Sequence, residues 1–179
     1  ATLANLALLT GATQEHSLVA AKVTDYDAAA DRTSAVSTSD CSTSSSASVL
    51  ALSGCTVQLT TAQTAGASSA SVTATHAGLS ASVELAVYAP STVSIGVSDT
   101  VLNRLQYPSG SAVACSGASY QRTALSVAVD ALDATPLVSF AVDNSAVASV
   151  SGTTLQGLSV GSVSVFLSGR DASYASTSV

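Results

Sequence analysis

The chain has no Trp, no Met and only two Phe, and aromatic residues make up 4% of its 179 positions. Large rings therefore cannot dominate a core, and a cleft with flanking aromatics for carbohydrate chemistry is not expected. Charge is as scarce, at 9% of residues against about 25% in an ordinary soluble domain. The five basic residues, Lys22, Arg32, Arg104, Arg122 and Arg170, are too few to track a phosphate backbone, which excludes nucleic acid as a partner. The two histidines, His16 and His76, lack the close companions that a zinc site requires. No apolar run approaches the roughly 20 residues of a membrane span. The N-terminus lacks Met and a signal-peptide pattern, as expected of a processed or excerpted chain. Asn5, Asn103 and Asn144 all lack the third residue of a sequon, so N-glycosylation is not expected.

What is present is a β-forming alphabet. The hydrophobic fraction of 47% comes mostly from Ala, Val and Leu, and Ser and Thr supply solubility in place of charge. Apolar residues alternate with period two. Val83, Leu85 and Val87 alternate with Ser82, Glu84 and Ala86, and Leu125, Val127 and Val129 with Ala124, Ser126 and Ala128. Val93, Ile95 and Val97, then Val138, Phe140 and Val142, then Val163, Val165 and Leu167, repeat the pattern. Turn residues such as Thr10 with Gly11, Ser53 with Gly54, Asp143 with Asn144 and Ser151 with Gly152 separate the runs. No window keeps a helical apolar stripe, so little or no helix is expected.

Short strands at regular spacing predict an all-β chain, and the length suits two immunoglobulin-like β-sandwiches of about 100 residues or fewer each. The junction is placed at Tyr88, Ala89, Pro90 and Ser91, giving domains 1–89 and 90–179. Such a short linker predicts a stiff tandem. The segment Ser37–Ser48 reads as a tethered, hydroxyl-rich loop suited to O-linked sugars.

Several residues support a named resemblance. Leu8, Leu9, Thr10 and Gly11 close an opening strand, and Val19, Lys22 and Val23 lie in the next; Val87, Tyr88 and Pro90 lead to Val97, Ser98, Asp99, Thr100, Leu102 and Asn103. Cys115, Tyr120, Gln121 and Val127 follow. The whole chain resembles the consecutive extracellular immunoglobulin-like domains of the transmembrane protein 132 family. Val147, Ala148, Val150, Gly161 and Val163 are also similar to the bacterial group 2 immunoglobulin-like pattern. The Trp that follows the family's junction motif is missing, as are its membrane span and cytoplasmic tail. The resemblance implies cell-surface adhesion or recognition, with no catalytic residues to transfer.

Cys41 and Cys55 bracket Ser48, Val49, Leu50 and Leu52, resembling the family's paired cysteines around a short strand. A bridge there would stabilise the fold by roughly 3 kcal/mol through loop closure. Cys115 is then left over, either as a small buried residue or as one half of an intermolecular disulfide.

Chemistry-bearing patterns are weak. Gly157, Leu158, Ser159, Val160 and Gly161 match the G-x-S-x-G nucleophile elbow, but a strand follows where a helix is needed and no His lies downstream. Asp25, Asp27 and Asp31 are spaced as in a calcium loop, yet Ala30 and Val36 stand where an EF-hand needs Gly and Glu; a calcium site of another kind is the alternative. Asp130, Asp133, Asp143 and Asp171 read as strand-end carboxylates that define turns. No catalytic residue, metal or cofactor is assigned. The expected role is that of a non-enzymatic subunit of an extracellular filament or adhesive stalk, associating with its own copies into a homopolymer. An opening strand carrying Leu3, Leu6, Leu8 and Leu9 could add to a neighbour's sheet. The alternative is a cell-surface recognition module that binds a glycan or a surface protein.

Overall fold

A computed structural model describes residues 1–18, 21–25, 28–31, 40–76, 78–105 and 119–179. Val19, Tyr26, Asp27, Arg32, Val36, Tyr107, Cys115 and the start of the hydroxyl-rich segment (37–39) lie outside the described residues. The period-two patterning produces strands throughout, divided between two compact units, Ala1–Pro90 and Ser91–Val179.

The first unit runs β1 (Thr2–Ala4), α1 (Ala7–Thr10), β2 (Gln14–Ser17), β3 (Ala21–Asp25), β4 (Ala28–Asp31), β5 (Cys41–Thr43), β6 (Ala51–Ser53), β7 (Thr56–Leu59), β8 (Ala67–His76) and β9 (Leu79–Tyr88). One sheet has the order β1-β9-β8-β5, a second β2-β7-β6, and β3 pairs with β4. Val57 and Leu59 from β7, with Val49 and Leu50 before β6, pack against Ala70 and Val72 of β8 and Leu85 and Val87 of β9. The core is made of aliphatic side chains, as the scarcity of aromatics requires. Cys41 of β5 is bonded to Cys55 in the β6–β7 turn, with Cα atoms 5.2 Å apart, so the disulfide ties one sheet to the other.

The opening segment differs from the expected strand. Leu3 sits in β1, which pairs in parallel with β9 through Thr2↔Ala86, Leu3↔Val87 and Ala4↔Tyr88. Leu6 precedes a single helical turn that buries Leu8 and Leu9 at 3% and 2% exposure. The four leucines therefore share no strand and cannot together add to a neighbour's sheet. The physical cause is local. Asn5 is fully buried, and its Oδ1 accepts the Ala7 N–H at 3.1 Å, turning the chain. Gly11, at φ 74°, ends the turn and returns its N–H to the Ala7 carbonyl at 2.8 Å. Four apolar residues in a row are too few for periodicity to separate strand from helix.

Asn5 also anchors a buried polar network. Its Nδ2 donates to the carbonyls of Thr60 at 2.9 Å and Gln63 at 2.7 Å. Gln63, itself 5% exposed, accepts the Thr60 N–H and hydroxyl on Oε1, both at 2.8 Å, and donates from Nε2 to the Ala47 carbonyl at 3.0 Å.

The second unit runs β10 (Val93–Val97), β11 (Arg104–Leu105), β12 (Ser119–Tyr120), β13 (Arg122–Val129), β14 (Leu132–Asp133), β15 (Phe140–Val142), β16 (Ala148–Ser151), β17 (Thr154–Gly157), β18 (Ser164–Leu167) and β19 (Ser176–Ser178). The sheet β10-β13-β17-β16 carries β14 on β13; β15-β18-β19 forms a second sheet, and β11 pairs with β12. Leu125, Val127 and Val129 of β13, Leu155 of β17, Phe140 of β15 and Val165 and Leu167 of β18 are all buried. Val129 pairs with Leu132 across the two-residue turn Asp130–Ala131, whose φ values of 47° and 69° give a type I′ hairpin. From that turn the Asp130 carboxylate accepts the N–H and hydroxyl groups of Ser91 and Thr92, at 2.7 to 3.2 Å, fixing the start of the unit.

Candidate functional site

Two surfaces offer unused binding capacity, and the alternation of their strands builds both. The first is the free edge of β9. β8 and β9 pair regularly from Ala70↔Leu85 to His76↔Leu79, but β1 covers the opposite edge of β9 only over Ala86–Tyr88. Ala86 turns its N–H to that edge, donating to the Ala1 carbonyl at 2.8 Å. By the two-residue repeat, Ser80, Ser82 and Glu84 also aim their N–H and C=O groups away from β8. Among the described residues no strand pairs with them. The inward-pattern residues of this stretch run out past the core: Leu85 is buried at 6%, but Val83 is 40% and Leu79 58% exposed. The sequence pattern placed Val83 with Leu85 and Val87 as if all three were interior, because alternation reports a face and not how far the opposite sheet extends.

The second surface is a groove of about 240 Å³ on the outer face of the β13-β17-β16 sheet, lined by Arg122, Ser149, Ser151, Thr154 and Gln156. Register aligns Arg122 with Gln156 and Gln156 with Ser149, so guanidinium, amide and hydroxyl lie in one row. Arg122 Nε donates to Gln156 Oε1 at 3.1 Å, which holds the guanidinium in place. No described carboxylate pairs with it. A fixed Arg fork beside hydroxyls can take a carboxylate or another oxyanion. Arg122 belongs to no motif in the sequence, although its alternation with Thr123 and Leu125 places it on the solvent face.

The other singled-out residues do not converge. Ser159 donates its hydroxyl to the Ala146 carbonyl at 2.8 Å and is exposed, between β17 and β18. The two glycines of its motif have packing roles. A Cβ on Gly157 would come 2.8 Å from Tyr120 Cβ, and one on Gly161 would come 2.9 Å from a Val147 methyl. His16 lies in β2 opposite Val57, and His76 ends β8 opposite Leu79. Among the described residues no three His, Cys, Asp or Glu side chains gather to hold a metal. Asp25 ends β3 and Asp31 ends β4.

The strand-end aspartates act on turns. Asp133 accepts the Thr135 N–H at 2.9 Å, Asp143 that of Ser164 at 2.9 Å and Asp171 that of Ser173 at 2.8 Å. The Thr135 hydroxyl, then its N–H, holds the Asp133 carboxyl below the usual carboxylate range; the Ser173 N–H, then its hydroxyl, does the same for Asp171. Arg170 stacks over the Tyr174 ring at 4.0 Å, while burial pushes the Tyr174 phenol up. Asn103 and Gln121, marked in the sequence, meet through the Asn103 N–H and Gln121 Oε1 at 3.0 Å.

Among the described residues no helix is long and apolar enough to cross a membrane. No curated protein sequence matches the chain. The family model for the TMEM132 fourth domain, an immunoglobulin-like module, matches residues 1–92. Immunoglobulin-like domains of this family are extracellular, in keeping with the Cys41–Cys55 disulfide, and are generally non-enzymatic. With the match spanning the first compact unit and more than half of the sequence, the chain belongs to the immunoglobulin-like TMEM132 fourth-domain family.

Proposed function

We propose that the chain is a non-enzymatic subunit of an extracellular filament or adhesive stalk, built from two immunoglobulin-like sandwiches near 1–89 and 90–179, the second of bacterial group 2 type. The family points to an extracellular adhesion or recognition module. The observation that carries assembly is the edge of β9 over Leu79–Leu85, which no strand among the described residues covers and which offers backbone donors and acceptors beside exposed Leu79 and Val83. An open edge is a template for another strand, and this surface has little charge to keep copies apart. Sedimentation across a concentration series, with negative-stain imaging of the concentrated sample, tests the reading. Association that grows with concentration is expected; a monomer throughout would overturn it.

The Arg122 groove favours a second reading, recognition of an acidic glycan at a cell surface. Its support is a guanidinium held by Gln156 and ringed by hydroxyls, without a described carboxylate partner. A glycan array should then show carboxylated sugars retained by the native chain and lost on Arg122→Ala. Equal retention of neutral sugars by both proteins would refute it.

A further inference from the structure

Among the described residues no strand pairs with the outer edge of β9 between Leu79 and Leu85. We propose that β9 pairs antiparallel with β9 of a second copy of this chain, in the register that sets Ser82 opposite Ser82. This deepens the assembly reading above and rests on it.

The register follows from direction and from side-chain matching. Ser80, Ser82 and Glu84 carry the outward N–H and C=O groups, so a partner strand must meet these even positions with its own outward positions. Centring on Ser82 does this. Ser82 meets Ser82, and Ser80 meets Glu84 of the second copy, each facing pair exchanging two backbone hydrogen bonds. On one face Leu79 then lies against Leu85 of the second copy, and Ala81 against Val83. On the other face, hydroxyls and carboxylates stand together. Glu84 falls opposite a serine hydroxyl and never opposite its own copy, so no like charges face each other across the seam.

Neighbouring registers are poorer. Centring on Val83 sets Ser80 against Ala86, whose outward N–H is already bonded to Ala1, centring on Ala81 sets Glu84 against the turn residue Gly78, and centring on Glu84 places the two carboxylates face to face. The apolar face of the seam is available in each copy, since Leu79 and Val83 are 58% and 40% exposed. The polar face is already ordered: Ser82 Oγ lies 2.7 Å from Thr73 Oγ1, and Ser69 donates to Glu84 Oε2 at 2.8 Å. The edge is thus held straight by β8 before a second copy arrives. A twofold pairing of this kind is closed: each copy occupies the other's edge at once, the product is a dimer, and a filament would be built from such dimers through a second contact.

The test uses the full chain and position 82, where the side chain is exposed. Sedimentation equilibrium should show a reversible dimer of the native chain, with hydrogen exchange slowed at Ser80, Ser82 and Glu84 as concentration rises. Ser82→Pro removes an outward N–H that no bond to β8 uses, and it should abolish the dimer while leaving the circular dichroism unchanged. Ser82→Lys and Ser82→Glu each put like charges opposite each other in this register alone. Each should weaken the dimer about fivefold at low salt, and an equimolar mixture of the two should recover it. If Ser82→Lys and Ser82→Glu dimerise as the native chain does and mixing changes nothing, the β9 register is overturned while self-assembly stands. If the native chain stays monomeric up to about 1 mM, self-assembly and the register fall together.

Discussion

Replacing Asn5 tests whether the first unit is specified by its buried polar network. The side chain is fully buried and makes three hydrogen bonds, to the carbonyls of Thr60 and Gln63 and from the Ala7 N–H. Asn5→Ala removes them all. The Thr60 carbonyl still receives the Gln63 N–H at 3.3 Å, but the Gln63 carbonyl and the Ala7 N–H lose the partners described above. An orphaned buried group costs about 1–3 kcal/mol, so the loss from two should be about 2–6 kcal/mol. Urea unfolding followed by hydrogen exchange in fragments from 1–18 and 40–76 should show the midpoint falling by at least about 0.7 M, taking a slope of about 1–3 kcal/mol/M. Asn5→Asp sharpens the test. It keeps the acceptor for Ala7 but turns a carboxyl toward two carbonyl oxygens in a buried site, which raises its folded pKa above the ordinary value of about 3.9. A raised carboxyl pKa means that stability is fullest below the unfolded value and falls as pH rises toward the folded one. Asn5→Asp should therefore be less damaging at pH 4 than at pH 7, whereas Asn5→Ala should not depend on pH. If both variants unfold within about 0.5 kcal/mol of the native chain, the network contributes no more than an ordinary surface substitution and the reasoning fails.

The hairpin turn offers a gain instead of a loss: Ala131 sits at φ 69°, so Ala131→Gly should raise the unfolding free energy by about 1 kcal/mol, read as a higher thermal midpoint. Gly157→Ala, whose Cβ would press on Tyr120 at 2.8 Å, should cost about 1–3 kcal/mol in chemical denaturation. Ser159→Ala, which loses one exposed hydrogen bond, should cost less than about 1 kcal/mol and leave any esterase background unchanged. The lowered pKa values of Asp133 and Asp171 mean that their contribution is present above the unfolded carboxylate value and lost as pH falls through the folded one. NMR titration should find both carboxyls ionising below an ordinary Asp, and Asp133→Asn should remove that acid-side loss at its own turn.

Strands whose two faces differ sharply were legible in the sequence. Leu125, Val127 and Val129 alternate with smaller or polar residues, and the structure buries all three. The same holds for Val163, Val165 and Leu167. The helical turn at Ala7–Thr10 was not read, although Gly11 carried a stop signal, because Leu6 to Leu9 are apolar without a period. Asn5 and Gln63 were illegible for a different reason. A polar residue beside a turn looks like a solvent-facing one, and only the chain folding back over fifty-odd residues brings the Thr60 and Gln63 carbonyls to Asn5. The reach of a core is illegible too, since nothing local tells Val83 from Leu85.

The shortage of aromatics and charge accounts for how the first unit is held and for what it leaves open. Leu50, Val57, Leu59 and Val72 bury well, but packing among small aliphatic chains is non-directional and tolerates sliding. Register must then be fixed by groups with direction. Asn5, Gln63 and the Cys41–Cys55 bridge do this at the β1, β5 and β7 ends of the sheets. The bridge reaches β8 through Cys41, opposite Ala74, but none of the three bonds to β9 between Leu79 and Leu85. There an unpaired edge would ordinarily be guarded by Lys, Pro or a bulge. Between Leu79 and Leu85 the only charge is Glu84, there is no Pro, and pairing with β8 is regular. An edge of that length, regularly paired on one side and unguarded among the described residues, is a liability in a solitary chain, and this is why the proposed twofold partner is sought there.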